Sequence, residues 1–426
     1  MANNLTANTT SKVARIFLKE FESSRVLSKT VNTSLVSPEY TPQFGDTVAF
    51  KRPHQYRSVS TADGDISAET KNSIISGTAS ATVQNYLTVP IEWTNKEEAL
   101  QMDQQAEILR PAAQQLAIDL ESNFARYMQK NSGLHYGTIG TPIASWADVA
   151  GTNSLLSSVG APMSGNRYAV MNPFAIQALA EAQGGLHSGS NNLVDTAWEK
   201  AQISRNFGGI QGLVSNSLPT VQLGATTDRL GTVSVAPDAT YVTARLTMTQ
   251  TITVTALSFS LANAVRAGDT IKVTQAGRNL LNVRSRNVAY DQSGPISWYY
   301  KVVSTTGTTS GAGAVALTVT AAAIYEANGQ YNTISSAIEV GDTIEVLGTA
   351  AAYVQPSYFY HEDAFGIGFI DLPKLHTWDT VMNTKDGISI RITKYSDGDK
   401  NKQYLRADLL PAFATLNPLF AGTFYG

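Results

Sequence analysis

Between Val221 and Tyr353 the chain changes character. The stretch is rich in Thr, Val, Ala and Gly and contains no histidine. Short alternating runs recur along it: "GTVSVA", "ARLTMTQTITVTAL", "DTIKVTQ", "SWYYKVVST", "AVALTVTA" and "DTIEVLGTA". Alternation puts apolar side chains on one face of each strand, and Gly, Asn and Asp at the breaks supply turns. Regular short strands of this kind predict an all-β barrel or sandwich. Patterning of a mixed α/β kind precedes the stretch and resumes after Pro356. An all-β unit between two stretches of another class reads as an inserted domain, expected over residues 221–355. A chain of 426 residues is in any case longer than one core usually serves.

The flanks supply the rest of the architecture. In "SKVARIFLKEFESSRVLSKTV", Val13, Ile16, Phe17 and Phe21 fall at near-helical spacing, with Lys12, Arg15 and Lys19 on the polar side. Residues 1–11 are polar and expected to be loose. Pro38 and Pro42 break the chain before a Gly45-Asp46 turn and a strand at Thr47–Phe50. The polar run "QYRSVSTADGDISAETKNSIISG" follows Pro53, and "ATVQNYLTVPIEW" returns as a strand. Strand, long polar excursion and returning strand predict an extended hairpin. The excursion is too polar to bury itself. It gains order by lying on something else, and a neighbouring subunit is the simplest support.

From about residue 95 to 131 a helix is expected, capped by Thr94 or Asn95 with Glu97 and Glu98 in its first turn. Leu109, Ala113, Leu116, Leu120, Phe124 and Met128 form its apolar stripe. Pro111 is expected to kink or divide it. A helix follows Thr141 or Ser145. Tyr168–Met171 reads as a buried strand, followed by a helix with Asn172 as cap, Pro173 at its first position and Gly184-Gly185 at its end. "NNLVDTAWEKAQI" reads as another helix. Near the C-terminus, "GISIRITKYSDGDKNKQYLRADLLPAFATL" predicts a hairpin whose returning strand has an edge or bulge at Pro411.

Chemistry is sparse. The net charge is −3 and 15% of residues are charged, which argues against a strongly basic nucleic-acid surface. No cysteine is present, so disulfides, thiolate metal sites and cysteine nucleophiles are excluded. No apolar stretch approaches the roughly 18 residues that span a bilayer. The N-terminus lacks the apolar core of a signal peptide. A soluble, cytoplasmic product with no membrane association is the expectation.

No nucleophile elbow and no phosphate loop occurs. Gly366-x-Gly368 lacks the third glycine of a dinucleotide fingerprint. The histidines at 54, 135, 187, 361 and 376 have no zinc spacing. In "YHEDAF", His361, Glu362 and Asp363 are consecutive, so their side chains diverge. "DGDKN" has calcium-loop steps at Asp397, Asp399 and Asn401 but lacks the glycine and the final glutamate, leaving a hairpin turn. Asp63 and Asp65 mark a solvated loop tip. The cluster Lys51-Arg52-Pro53-His54 suits either phosphates or acidic residues of a neighbour, the neighbour being favoured. No cofactor, metal or enzymatic activity is expected. Gly-Asp-Thr occurs three times, at 45, 268 and 341, each time before a strand.

The order of "GDTVAFKRPHQ", "GDIS" with "NSIISG", "YAVMNP", "GGLH", "TAWEKAQI", "NFGGI", "LPKLH" and "RITKYSDGD" resembles the major capsid proteins of tailed phages, the HK97-like fold. It is most similar to the coat proteins of short-tailed phages of the P22 type, which carry an inserted β domain. The resemblance spans essentially the whole chain and implies an α+β fold. Residues 1–40 would be an N-terminal arm and 41–95 the E-loop hairpin with flanking strands. The spine helix of the peripheral domain would occupy 96–135, and the axial domain 136–220 and 356–385. The insertion is 221–355, and 386–426 returns to the peripheral domain.

The resemblance further implies a homo-oligomer of pentamers and hexamers in an icosahedral shell, assembled in the host cytoplasm with a scaffolding protein and a portal protein. The shell encloses double-stranded DNA without sequence-specific binding and then expands. Lys51, Arg52, His54, Arg57, Asp63 and Asp65 are the expected inter-subunit contacts, and Gly366 and Gly368 the expected hinge. A reading from another class, a carbohydrate- or surface-binding protein working through residues 221–355, competes with it. A hydrolase built around residues 361–363 is a third.

Overall fold

A computed structural model describes residues 16–33, 47–52, 54–94, 105–183, 206–376, 379–384 and 387–426. The fold is α+β. Its described residues fall into two compact units. One draws on Met1–Val48, Ala81–Ala125 and Gly366–Ala414; the other on Ala49–Ser80, Arg126–Phe365 and Thr415–Gly426. Expectations for residues 1–15, the Gly45-Asp46 turn, the cap of the long helix, Gly184-Gly185 and the helix after Asn191 lie outside the described residues.

The first unit holds most of the long helix Gln105–Asn131. The helix is one continuous element through Pro111 and is not divided there. Leu109, Ala113, Leu116, Leu120 and Phe124, the predicted stripe, are all buried. Residues 16–24 are helical and contribute Phe17 and Phe21 to the core. A four-stranded antiparallel sheet runs in the order Thr380–Asn383, Ser389–Asp397, Lys402–Leu409, Leu87–Thr94. The hairpin turn at its centre is the "SDGDKN" segment, where the Asp397 carboxylate accepts from the backbone N–H of Asp399 (3.1 Å). Pro411 marks neither a bulge nor an edge within that hairpin. It is the first residue of a separate strand, Pro411–Thr415, where a missing N–H is tolerated. That strand pairs with the returning arm strand at Thr82↔Phe413.

The second unit contains a six-stranded mixed sheet in the order Leu134–Tyr136, Ala421–Phe424, Ser357–His361, Arg167–Met171, Ile210–Val214, Asn206–Phe207. The helix Trp146–Val159 starts at Ser145, whose hydroxyl accepts from the Asp148 N–H while the Asp148 carboxylate accepts from the Ser145 N–H, a reciprocal capping box. Asn172 caps Pro173–Gln183 through the Ala175 N–H (2.9 Å).

The same unit contains a closed antiparallel barrel. Its strands run Thr249–Thr255, Val315–Thr320, Tyr299–Thr305, Thr270–Val273, Thr343–Val346 and Leu230–Val235, the last returning to the first. Closure removes the exposed edges that such Thr- and Val-rich strands would otherwise present. Alternation fills the interior with Ile252, Val254, Val273, Trp298, Tyr300, Leu317 and Val319. Below the barrel, Val221–Gln222 pairs antiparallel with Tyr353–Val354, so the chain leaves and re-enters at one place.

The barrel is not a separate bead, because its apolar core is continuous with that of the six-stranded sheet. Polar contacts reinforce the junction. Asn282 donates to the carbonyl of Ser158 (2.8 Å), and the Val283 N–H donates to Val159 (2.8 Å), at the end of the capped helix.

The two Gly-Asp-Thr turns of the barrel are the same device. In each, glycine is in the left-handed region, with φ of 99° at Gly268 and 95° at Gly341. Each aspartate accepts from the N–H three residues earlier, Arg266 to Asp269 (2.9 Å) and Glu339 to Asp342 (3.0 Å). The strands they open lie side by side, with Ile271 opposite Val346. Their charge partners differ. Asp342 takes two hydrogen bonds from Arg278, whereas Asp269 is buried and accepts from the Gly224 N–H (3.1 Å) beside the strand pair that leads into the barrel.

Candidate assembly surface

The arm leaves its strand at Lys51 and returns at Thr78. Between them the described residues form no strand, and residues 62–74 are exposed. A few local bonds give it shape. The Asn72 side chain spans the loop, donating to the Arg57 carbonyl (2.7 Å) and accepting from the Arg57 N–H (3.0 Å). It thereby imitates a rung of a strand pair. At the tip, Asp63 accepts from the Asp65 N–H (3.1 Å) and Asp65 from the Ser67 N–H (2.8 Å), with Gly64 at φ 79° between them. The bonds from Ser67 hold the Asp65 carboxyl below its usual range, so the tip is anionic at neutral pH.

The expected contact residues fall into different settings. His54, Asp63 and Asp65 are exposed, and His54 stacks loosely on Tyr56 at 6.4 Å. Arg57 is half-buried, with its guanidinium donating to the Asn328 carbonyl (3.4 Å). The Lys51 side chain lies outside the described residues. Arg52 differs from expectation. Its guanidinium is spent inside the chain, on the carbonyls of Thr78 (3.2 Å), Arg245 (3.2 Å), Leu246 (3.4 Å), Thr415 (3.3 Å) and Leu416. Burial lowers its pKa to about 10, still cationic at neutral pH. It pins the root of the arm to the barrel side and to residues 415–416 of the same unit. Sequence alone could not separate it from Lys51, because a fork of donors serves a carboxylate and a cluster of carbonyls equally well.

Gly366 and Gly368 lie within the buried strand Phe365–Phe369, not in a loop. Gly366 bridges Asn32, and the Ile367 N–H donates to the Asn32 carbonyl (3.1 Å). The chain passes from one unit to the other between Phe365 and Gly366.

Residues 361–363 form a structural turn. His361 is buried, with Nε2 against the Ser164 carbonyl (2.9 Å) and Nδ1 accepting from the Asp363 N–H (3.1 Å). Both nitrogens are engaged with backbone, which leaves no lone pair for a metal. Among the described residues no group of three His, Asp or Glu could hold an ion, and no helix is long and apolar enough to cross a membrane.

Two buried carboxylates escaped the sequence reading. Glu121 on the long helix accepts from the N–H groups of Leu27 (2.5 Å) and Ser28 (2.9 Å) and from the Ser28 hydroxyl. Asp408 accepts from Arg391 (2.6 Å), Arg406 (2.5 Å) and Thr88 (2.7 Å). Burial pushes the Asp408 carboxyl up, but these donors outweigh it and hold the pKa below normal. The signal for Glu121 was a charged residue beside Leu120 and Phe124 on the apolar stripe of a helix; Asp408 alternates with Leu405, Ala407 and Leu409, and its position gave none.

Over residues 1–426 the chain matches the model of the family described as P22 coat protein, gene protein 5. It is 41% identical over 427 residues to the major capsid protein of Acyrthosiphon pisum secondary endosymbiont phage 1, covering 100% of both chains. Among solved structures it is similar to one from Mycobacterium phage Che8, at 11% identity and TM-score 0.44, over 94% of this chain and 90% of that one. It is also similar to a virus-like particle from Pyrococcus furiosus, at 8% identity and TM-score 0.41, over 98% and 99%.

Proposed function

Because the chain belongs to the P22 coat protein family and is a phage major capsid protein, we propose that it builds an icosahedral shell of pentamers and hexamers around double-stranded DNA. The full-length match to a major capsid protein carries this reading. The long exposed arm supports it, since an extended polar segment without a core of its own gains order against another copy. A scaffolding protein and a portal protein assist assembly in the host cytoplasm, and the shell expands as DNA enters. The nearly neutral charge suits enclosure of DNA without tight binding.

Within this reading His54, Arg57, Asp63 and Asp65, with Lys51, meet a neighbouring subunit. Arg52 leaves that set because its guanidinium is engaged internally. Gly366 and Gly368 give the chain play where it passes between units, so one sequence fits several subunit angles. Gly366→Pro should give aberrant or unassembled coat; normal shells from that variant would remove the hinge. Electron microscopy of the expressed protein with and without scaffolding protein tests the whole. Shells, polyheads or capsomer rings are expected, and a strictly monomeric protein under assembly conditions overturns it.

A further inference from the structure

The two feet of the arm rest on one shelf of the barrel side of the same unit. On the outgoing side, Arg286 donates to the Gln55 side-chain oxygen (2.6 Å) and Arg57 donates to the Asn328 carbonyl (3.4 Å). On the returning side, Gln330 donates to the Ser73 carbonyl (2.6 Å) and the Tyr331 hydroxyl donates to the Ile75 carbonyl (3.1 Å). The shelf is itself braced. Arg286 donates to the carbonyls of Asn332 (2.7 Å) and Gln330. The Tyr331 ring stacks on Tyr241 at 3.7 Å and 7°, and Ile75 packs against the cluster formed by Tyr241, Ala244, Met248, Ala322, Ile324 and Tyr331. Two of the four contacts read main-chain carbonyls of the arm. Recognition of that kind selects an extended backbone in a fixed register, as peptide-binding grooves do.

We propose that this shelf is an arm-binding site, and that its occupant in the free subunit is the chain's own arm at residues 55–57 and 73–75. The inserted domain thereby sets the direction in which the exposed tip is offered. That the tip is offered to another copy rests on the capsid reading; the seating itself does not.

The absence of cysteine makes the test clean. In purified, unassembled Ser73→Cys/Gln330→Cys protein the introduced thiols are the only ones. A short bis-maleimide crosslinker should join them within one chain, much faster than in a Ser67→Cys/Gln330→Cys control. Equal rates, or links found only between chains, would overturn the proposal. The milder variant Gln330→Ala/Tyr331→Phe keeps the ring stack. Trypsin should then cut after Arg57 and Lys71 several-fold faster, as expected when the closed form loses population, while the barrel stays resistant. Unchanged cleavage would also overturn it. Both readouts use the unassembled subunit, so their failure is distinct from a failure to form shells.

Discussion

The carboxylate of Glu121 caps the backbone at Leu27, receiving that residue's N–H at 2.5 Å across 94 positions of sequence. The turn Leu27–Lys29 therefore has its open N–H groups satisfied by a side chain from the long helix. Glutamine at this position keeps the shape but turns an NH2 group toward donors. Glu121→Gln should cost about 3 kcal/mol, the scale of charged hydrogen bonds lost with buried donors left unpaired. The check is urea unfolding of the free subunit, with residues 26–28 losing amide protection first. An unchanged midpoint would show that the segment is held by Phe17 and Phe21 alone.

Gly77 closes the root of the arm where no side chain fits. A Cβ there would fall well inside contact with the Tyr241 hydroxyl and lie 3.1 Å from the Arg245 carbonyl. Tyr241 cannot yield easily, because it is stacked on Tyr331. Gly77→Ala should destabilise the subunit by about 2 kcal/mol, as overpacking does. Thermal melting measures it, and Tyr241→Phe in the same chain should recover part of the loss by opening the space.

Much of this architecture is legible in the sequence, for reasons that differ by element. The barrel segment shows because alternation over Thr249–Thr255 and most of Val315–Thr320 repeats the strand period. The caps at Ser145 and Asn172 show because they act within three residues. Glu121 and Arg52 did not show, because their partners lie far away in sequence, and Asp408 did not because only strand pairing brings Arg391 and Thr88 beside it. The division expected at Pro111 does not occur, since a helix can run through one proline when packing along Leu109, Ala113 and Leu116 holds it. Pro411 misled: it starts a strand in a second sheet, a choice set by tertiary pairing at Phe413.

Asp408 is paired in register with Arg391 on one side and Thr88 on the other. Removing Arg391 leaves a buried charge with fewer donors, so Arg391→Met should cost about 3 kcal/mol. Arg406 is partly exposed and solvent can replace it, so Arg406→Met should cost about 1 kcal/mol. Denaturant midpoints of the two variants give the ratio. Equal losses would mean that Asp408 draws on both arginines alike.

The alkaline side of neutrality tests the base of the barrel. Lys301 is fully buried beside Thr270, its ammonium donating to that hydroxyl at 2.5 Å, and burial lowers its pKa to about 7. The unfolded chain keeps this lysine protonated to about 10.5. The folded state thus binds fewer protons between pH 7 and 10, and stability should rise with pH there, by up to about 1.4 kcal/mol per unit. Asp269 faces Lys301 and Arg229 and has the opposite sign: burial raises its carboxyl to about 6, so its contribution falls as pH rises from 4 to 6. His135, buried against Tyr299 and Tyr425 and repelled by Lys301 and Lys272, drops to about 3, so its contribution rises from pH 3 to 6.5. Between pH 4 and 6 these two slopes oppose each other, and above pH 7 neither group contributes, which leaves the rise there to Lys301. Tyr299 and Tyr425 are pushed up by burial and titrate above this window. Urea midpoints measured from pH 6 to 9.5 should climb in the wild-type subunit and stay flat in Lys301→Met. A climb that persists in the variant would assign the slope to another group.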